Sequence, residues 1–346
     1  MLIFGMSKIK VCVVGMGYWG PKVARNIFIH PNFELVSVCD LNLPKAQKAV
    51  DGFGANLIPV FSDPIHAITT VECDLVILAT PPQSHAELGS LILEMGSNLL
   101  IEKPVGLSLS EKKILVDLAK KYNSKIFVDH TYLFTPEFAR VREAVESGEL
   151  GSLNYYLSTR VNLGLIQSDI SVVEDLAIHD IAILDVLIPE LPLYVTCNGI
   201  RVEPSTQISS AFMTLSYRNN FMAQISVSWN SPVKVREIHL SGDSGMLLWD
   251  DTLGADKVKI FSSNISKEYT DEEFRLSYHI GDGKIPSIPA GEALKIELDY
   301  IYTILGGDKN SYGFSGPEHI LRTGLVLEAL KQSLANSGKT TLVGNQ

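Results

Sequence analysis

Two rhythms of apolar residues divide the 346-residue chain. Up to about residue 129, short oily runs alternate with stretches of helical spacing. The runs lie at residues 10–15 (KVCVVG), 34–40 (ELVSVCD), 59–63 (PVFSD), 74–80 (DLVILAT), 98–103 (NLLIEK) and 125–129 (KIFVD). Several are apolar on both faces, as parallel strands covered by helices are. The intervening stretches carry helix-start signals: Pro21 after Gly20, Pro44, Pro64, Ser84 and Ser110. Such β–α alternation predicts a doubly wound parallel sheet.

After a helix expected over residues 136–147 the period changes. Residues 221–229 (FMAQISVSW) alternate strictly, with Phe221, Ala223, Ile225, Val227 and Trp229 on one face and Gln224, Ser226 and Ser228 on the other. That period of two predicts an antiparallel strand with one buried face. Residues 211–217 and 235–245 continue the pattern, and two helices near 291–305 and 317–336 close the chain. The opposite sheet face is only mildly polar, which is where a second copy is expected to dock as a homodimer or homotetramer. The predicted fold class is therefore α/β with two domains, a dinucleotide-binding one over residues 1–129 and a second over residues 130–346. The second is an α/β domain with an open, mostly antiparallel sheet for substrate binding and oligomerisation.

Charge and cysteine content narrow the classes. With 39 acidic and 29 basic residues the formal charge is −10, which argues against a nucleic-acid surface and against anionic membranes. Cys12, Cys39, Cys73 and Cys197 show no CxxC pairing and read as small buried hydrophobes in a reducing compartment. No apolar run reaches membrane-spanning length. The leader MLIFGM is too short for a signal peptide, and Met6 is an alternative start. A cytoplasmic location, with no membrane, nucleic-acid or metal partner, is expected.

Four stretches carry chemistry. In VVGMGYWGP, Gly15, Gly17 and Gly20 form G-x-G-x-x-G between a strand and a helix. The first allows a tight turn, the second lets a pyrophosphate approach the backbone, and the third lets the helix pack closely. This is the dinucleotide loop of a Rossmann domain. Asp40 ends the second strand twenty residues after Gly20, where a carboxylate binds ribose hydroxyls and repels a 2′-phosphate. NAD is thus favoured over NADP, although a structural glycine turn and a surface Asp40 are the competing readings. At the end of the fifth strand, NLLIEKP places Lys103 where ligands of such sheets bind, with Pro104 fixing the chain direction. An ammonium there favours a developing alkoxide. ATPPQSH (residues 79–85) ends the fourth strand in the same region, with Ser84 as a helix cap and His85 in the first turn. Tyr18, Trp19, Thr80, Pro81, His85, Glu102 and Lys103 complete the expected cofactor-contacting set. In DLAIHDIAIL (residues 175–184), Asp175 and His179 stand four apart on one helix face, while Ile178, Ile181 and Leu184 form a buried stripe.

GMGYWGP, Asp40, ATPPQSH, EKP and the Asp175/His179 helix, in this order and spacing, resemble the Gfo/Idh/MocA family. These oxidoreductases are named for glucose–fructose oxidoreductase and inositol 2-dehydrogenase, and the resemblance spans nearly the whole chain. HTYLFTP (130–136) and residues 160–180 look like the branch that handles nucleotide-linked or modified sugars. The resemblance implies that His179 is the acid/base and Asp175 its neighbouring acid. It places Lys103 beside the nicotinamide and the reacting hydroxyl, with both domains contributing to one cleft. Hydride then passes between nicotinamide and a secondary hydroxyl or ketone of a sugar, sugar nucleotide or polyol. His130, Tyr132, Arg160 and Asn162 are candidate substrate contacts. Three alternatives stay open: a structural His179–Asp175 pair, a metal-dependent hydrolase using Asp175, His179 and Asp180, and a nucleotide-binding sensor without turnover.

Overall fold

The computed structural model describes residues 7–164, 166–269, 274–307 and 312–344, with the backbone alone for 263–269 and 274–280. The leader, residues 1–6, lies outside the described residues. Two compact units emerge: one holds the chain up to Phe134 and Gly291–Gly324, the other Thr135–Ala290 and the chain from Leu325 onward.

The first unit is built on a parallel sheet of six strands: β1 (Ile9–Val14), β2 (Phe33–Cys39), β3 (Val60–Phe61), β4 (Leu75–Leu78), β5 (Asn98–Glu102) and β6 (Ile126–Asp129). They lie in the order β3-β2-β1-β4-β5-β6, so the direction of strand succession reverses between β1 and β4. Five helices connect them: α1 (Gly20–Ile29), α2 (Leu43–Gly52), α3 (Pro64–Thr70), α4 (His85–Glu94) and α5 (Leu109–Lys121). Pro21, Pro44 and Pro64 all sit in the first turn of their helices, where a missing N–H costs nothing. Two start signals differ from expectation. Ser108, not Ser110, caps α5, in a reciprocal capping box with Glu111. Ser84 sits at the N-cap of α4 but does not cap it; its hydroxyl bonds to Thr80 Oγ1 and the Pro81 carbonyl, both at 2.8 Å.

The second unit opens with α6 (Pro136–Glu146) and β7 (Leu153–Leu163), then one π-helical turn (Val173–Ala177) running into α7 (Ile178–Leu187). Seven more strands follow: β8 (Tyr194–Ile200), β9 (Ser210–Ser216), β10 (Met222–Ser228), β11 (Asn230–Gly242), β12 (Gly245–Asp250), β13 (Val258–Tyr269) and β14 (Phe274–Ile280). The last elements are α8 (Ala293–Leu305), α9 (Pro317–Ala335) and β15 (Thr341–Leu342). The nine-stranded sheet has the order β14-β13-β12-β11-β7-β10-β9-β8-β15. All its pairings are antiparallel except β7 with β10, so the sheet is mixed and mostly antiparallel. Phe221, Ala223, Ile225, Val227 and Trp229 are all buried, as the period of two requires.

The expected second domain over residues 130–346 needs correction, because α8 and the start of α9 belong to the first unit. Leu294, Leu298, Ile301 and Ile304 of α8 share one core with Val11, Val13, Ile27 and Phe33. Periodicity shows that a helix has an oily face, not which core receives it. Downstream, Ser315 bonds to β6, its backbone carbonyl accepting from Val128 N at 2.8 Å and its hydroxyl donating to Val128 O at 2.7 Å. Among the described residues, no helix is long and apolar enough to cross a membrane.

Candidate active site

In the first unit the glycine loop has the geometry its spacing demands. Gly15 has φ +95°, and a Cβ there would lie 2.5 Å from the Ala79 carbonyl oxygen. At Gly20 a Cβ would lie 1.8 Å from the Gly15 carbonyl oxygen. Gly17 differs: a Cβ would meet nothing within 4 Å, so its bare backbone faces open space. No side chain caps the N-terminus of α1. Asp40 supports the loop from the end of β2, accepting from Met16 N at 2.7 Å and Asn42 N at 2.8 Å, one on each carboxylate oxygen. Each oxygen keeps a lone-pair direction for a ribose hydroxyl. An exposed glycine backbone, an uncapped helix start and a strand-end carboxylate together fit a dinucleotide. Tyr18 is 81% exposed, and Lys22 Nζ sits 3.7 Å from its ring centroid. Trp19 turns the other way, its indole N–H donating to Asp129 Oδ2 at 2.6 Å. The polar edge of Trp19 is therefore a support behind the loop.

At the strand ends, Lys103 and Glu102 are half-buried and the Lys103–Pro104 peptide is cis. His85 does not face a cofactor. It is wholly buried, with Nδ1 at 2.9 Å from the Pro104 carbonyl and Nε2 at 2.8 Å from the Thr80 carbonyl. It ties the end of β4 to the EKP segment, with Thr80 half-buried and Pro81 exposed beside it. Burial lowers the His85 pKa against the pull of those two carbonyls. His130, expected as a substrate contact, is likewise buried, edge-on to His319 at 5.2 Å between ring centroids. Burial first, then His319 and Lys103, hold His130 neutral well below the usual histidine range. It lies within electrostatic reach of Lys103. Tyr132 is half-buried in a short turn after β6.

In the second unit Asp175 lies within the π-helical turn and His179 in the first turn of α7, so the two are not on one regular helix as expected. Both are half-buried, while Ile178, Ile181 and Leu184 are buried. Trp229, at the end of the β10 segment, donates its indole N–H to Asp175 Oδ2 at 2.9 Å. Asp180 is wholly buried and accepts from Tyr156 Oη at 2.8 Å, Ser158 Oγ at 2.7 Å and Arg160 Nε at 3.1 Å. Arg160 is thereby corrected from a substrate contact to a buried ion-pair partner, its side chain 4% exposed. The same bonds remove Asp180 from the ligand set that a metal-dependent hydrolase would need. Asn162, two residues on, is half-buried and keeps its place as a candidate contact. Trp229 and Asp129 are the polar partners that the sequence reading missed; each looks, in sequence, like an ordinary strand terminus.

Residues 9–130 match the model of an oxidoreductase family with an NAD-binding Rossmann fold, and residues 138–248 match the GFO/IDH/MocA C-terminal domain. The chain belongs to the Gfo/Idh/MocA family. Its first unit is the family's NAD-binding Rossmann domain. The chain is 24% identical to the UDP-N-acetylglucosamine 3-dehydrogenase of Acidithiobacillus ferrooxidans over 85% of this chain and 84% of that enzyme. It is 29% identical to the D-glucoside 3-dehydrogenase of Escherichia coli, a match spanning 44% of this chain and less than half, 43%, of that enzyme. An oxidoreductase from Agrobacterium radiobacter, solved with NAD+, L-tartaric acid and magnesium, shares the fold with a TM-score of 0.79. It is 18% identical, with 98% of this chain and 99% of that chain covered.

Proposed function

We propose that the protein is an NAD-dependent dehydrogenase acting on a secondary hydroxyl of a sugar, polyol or nucleotide-linked sugar. The Asp175–Trp229 bond carries this reading, because it fixes a carboxylate four residues before His179 in a family member whose first unit is built for NAD. Relatives named for dehydrogenation of glucosides and UDP-N-acetylglucosamine support the substrate class. When bound, NAD supplies the hydride acceptor at nicotinamide C4. His179 takes the hydroxyl proton as the carbinol C–H electron pair leaves with its hydrogen, and the carbinol becomes a carbonyl. Asp175 orients the imidazole and stabilises its protonated form. Lys103 stabilises the alkoxide character at the reacting oxygen.

His179→Asn should keep NAD binding, measured by calorimetry, and lose turnover by about 10²- to 10⁴-fold, the usual contribution of a general base. The assay is NADH formation against a panel of polyols, sugars and sugar nucleotides. Near-normal turnover in the variant removes His179 from the mechanism. NAD binding without turnover of any panel member by the unmodified protein points instead to a nucleotide sensor. The weakly polar sheet face, carrying exposed Tyr155, Tyr194, Phe212 and Met222, is read as the seat of a second copy. Met222 pairs with Tyr155 across β10 and β7, and Phe212 with Ser226 across β9 and β10, so these side chains share one face.

A further inference from the structure

Two carboxyl groups are buried together behind the dinucleotide loop, and the chemistry so far uses neither. Asp129 ends β6 and is 3% exposed; Glu297, in the middle of α8, is 1% exposed. Glu297 is enclosed by the helix face that carries Leu294, Leu298 and Ile301 into the core, and its carboxyl lies against Asp129. Their donors are unequal. Asp129 accepts two short hydrogen bonds of 2.6 Å, from Trp19 Nε1 and Thr131 Oγ1, one on each oxygen. Among the described residues no donor reaches either oxygen of Glu297, and no cation pairs with it. Glu102, opposite Asp129 in the β5–β6 register, and Tyr300, one turn along α8, also face the pair. Neither is a cation. A buried ionised carboxylate without counter-charge or donors is expensive, so Glu297 carries a proton while Asp129, with its two donors, is the ionised member.

We infer that this carboxyl pair, sharing one proton, is the seat that holds Trp19 and thereby fixes the dinucleotide loop. Trp19 stands between Gly17 and Gly20 and supplies the carbonyl that accepts from Lys22 N at 2.9 Å and Val23 N at 3.2 Å. Its indole is therefore the anchor of the first turn of α1. Loss of the shared proton leaves two adjacent buried carboxylates. The repulsion is relieved by letting the loop and its indole move away, at the expense of the backbone that receives the pyrophosphate. Burial, and next the Asp129 charge, push the Glu297 pKa well above the usual carboxylate range; burial also raises Asp129, against its bonds to Thr131 and Trp19. The folded chain thus holds a proton that the unfolded chain releases. The resulting stability is complete below the ordinary glutamate pKa and declines as pH rises towards the folded value.

The test titrates NAD into the substrate-free protein from pH 6 to pH 9 and follows thermal unfolding of the NAD-free protein over the same range. NAD affinity should fall at least about fivefold across the range, and the melting temperature should fall with it. Glu297→Gln, neutral at every pH, should flatten both profiles. Trp19→Phe keeps the acid pair but lacks the N–H; it should retain the pH slope in melting and lose the slope in NAD affinity. A purely structural role for the pair would not separate those two readouts. Should Glu297→Gln fail to fold, Asp129→Asn serves, since it too removes the carboxylate–carboxylate contact. Unchanged slopes in the acid-pair variant, or an unchanged NAD slope in Trp19→Phe, overturn the inference. No substrate enters the titration, so its outcome is independent of whether His179 is the catalytic base.

Discussion

Replacing Asp180 separates a fold-building role for Arg160 from a substrate-binding one. Asp180 has no exposed side-chain surface, and the Arg160 side chain is 4% exposed. Asp180→Ala strips the guanidinium of this counter-charge, and Tyr156 Oη and Ser158 Oγ lose the acceptor that lies 2.8 and 2.7 Å away. Breaking a buried pair from one side costs about 3–5 kcal/mol, because the stranded ion keeps its desolvation penalty. With two hydroxyls orphaned as well, the upper part of that range, about 4–5 kcal/mol, is expected. At roughly 2–4 °C per kcal/mol for a domain of this size, the melting temperature should drop by roughly 8–20 °C. Arg160→Met is milder, at about 2–3 kcal/mol, since Tyr156 and Ser158 continue to serve the carboxylate. The double variant Arg160→Met/Asp180→Leu leaves no buried charge and should cost less than the two single changes together, with a coupling of about 2 kcal/mol. Urea unfolding followed by circular dichroism supplies the midpoints, provided the slope stays constant across the set. If Arg160→Met leaves the midpoint unmoved while raising KM for the sugar, the guanidinium faces a ligand and the ion-pair reading is wrong.

Two further outcomes follow from the second unit. Trp229→Phe removes the one N–H that Trp229 gives to Asp175 while keeping an aromatic ring; it should lower kcat about tenfold and shift the pH–rate profile, with NAD affinity unchanged. An unaltered kcat and profile would show that Asp175 needs no such support. On the assembly proposed above through the sheet face, where Phe212 is 54% exposed, Phe212→Asp should give a smaller mass than the unmodified protein by light scattering at micromolar concentration. The same mass for both proteins would refute assembly through this face.

The elements were legible because each is decided locally. First-turn prolines at 21, 44 and 64 and the strict alternation of residues 221–229 depend on a few neighbouring residues, and the structure has the helices and the buried face in those places. The glycine loop was legible for the same reason: its shape follows from which positions lack a Cβ. What escaped sequence reading is what tertiary pairing decides. His85 looked like a cofactor neighbour because it follows a strand end, yet both its nitrogens are occupied by the carbonyls of Thr80 and Pro104. Arg160 looked like a ligand contact because it alternates with Val161 on a strand, a pattern that cannot say whether the face is open or already matched by a buried acid.

Asp180 shows why polar residues are harder to read than apolar ones. An apolar side chain gains by burial against almost any other, so periodicity alone announces it. A buried polar group is tolerated only with specific partners, and those partners come from wherever the fold brings them. Here they come from alternate positions of β7, Tyr156, Ser158 and Arg160, all on the buried side of that strand. Their side chains share that face because of the strand's period of two, yet nothing in the period says that an acid on α7 lies above them. The same holds for Trp19 and Asp129, 110 residues apart in the chain and joined by one hydrogen bond. An acid, imidazole or indole inside an oily stretch therefore signals a partner, and the partner decides whether the residue serves the fold or the chemistry. For Asp180 the surrounding donors saturate the carboxylate, and the fold claims it. Asp175 is only half-buried, with the Trp229 indole on one oxygen, and that difference in burial is why the two acids of one short segment are assigned opposite roles.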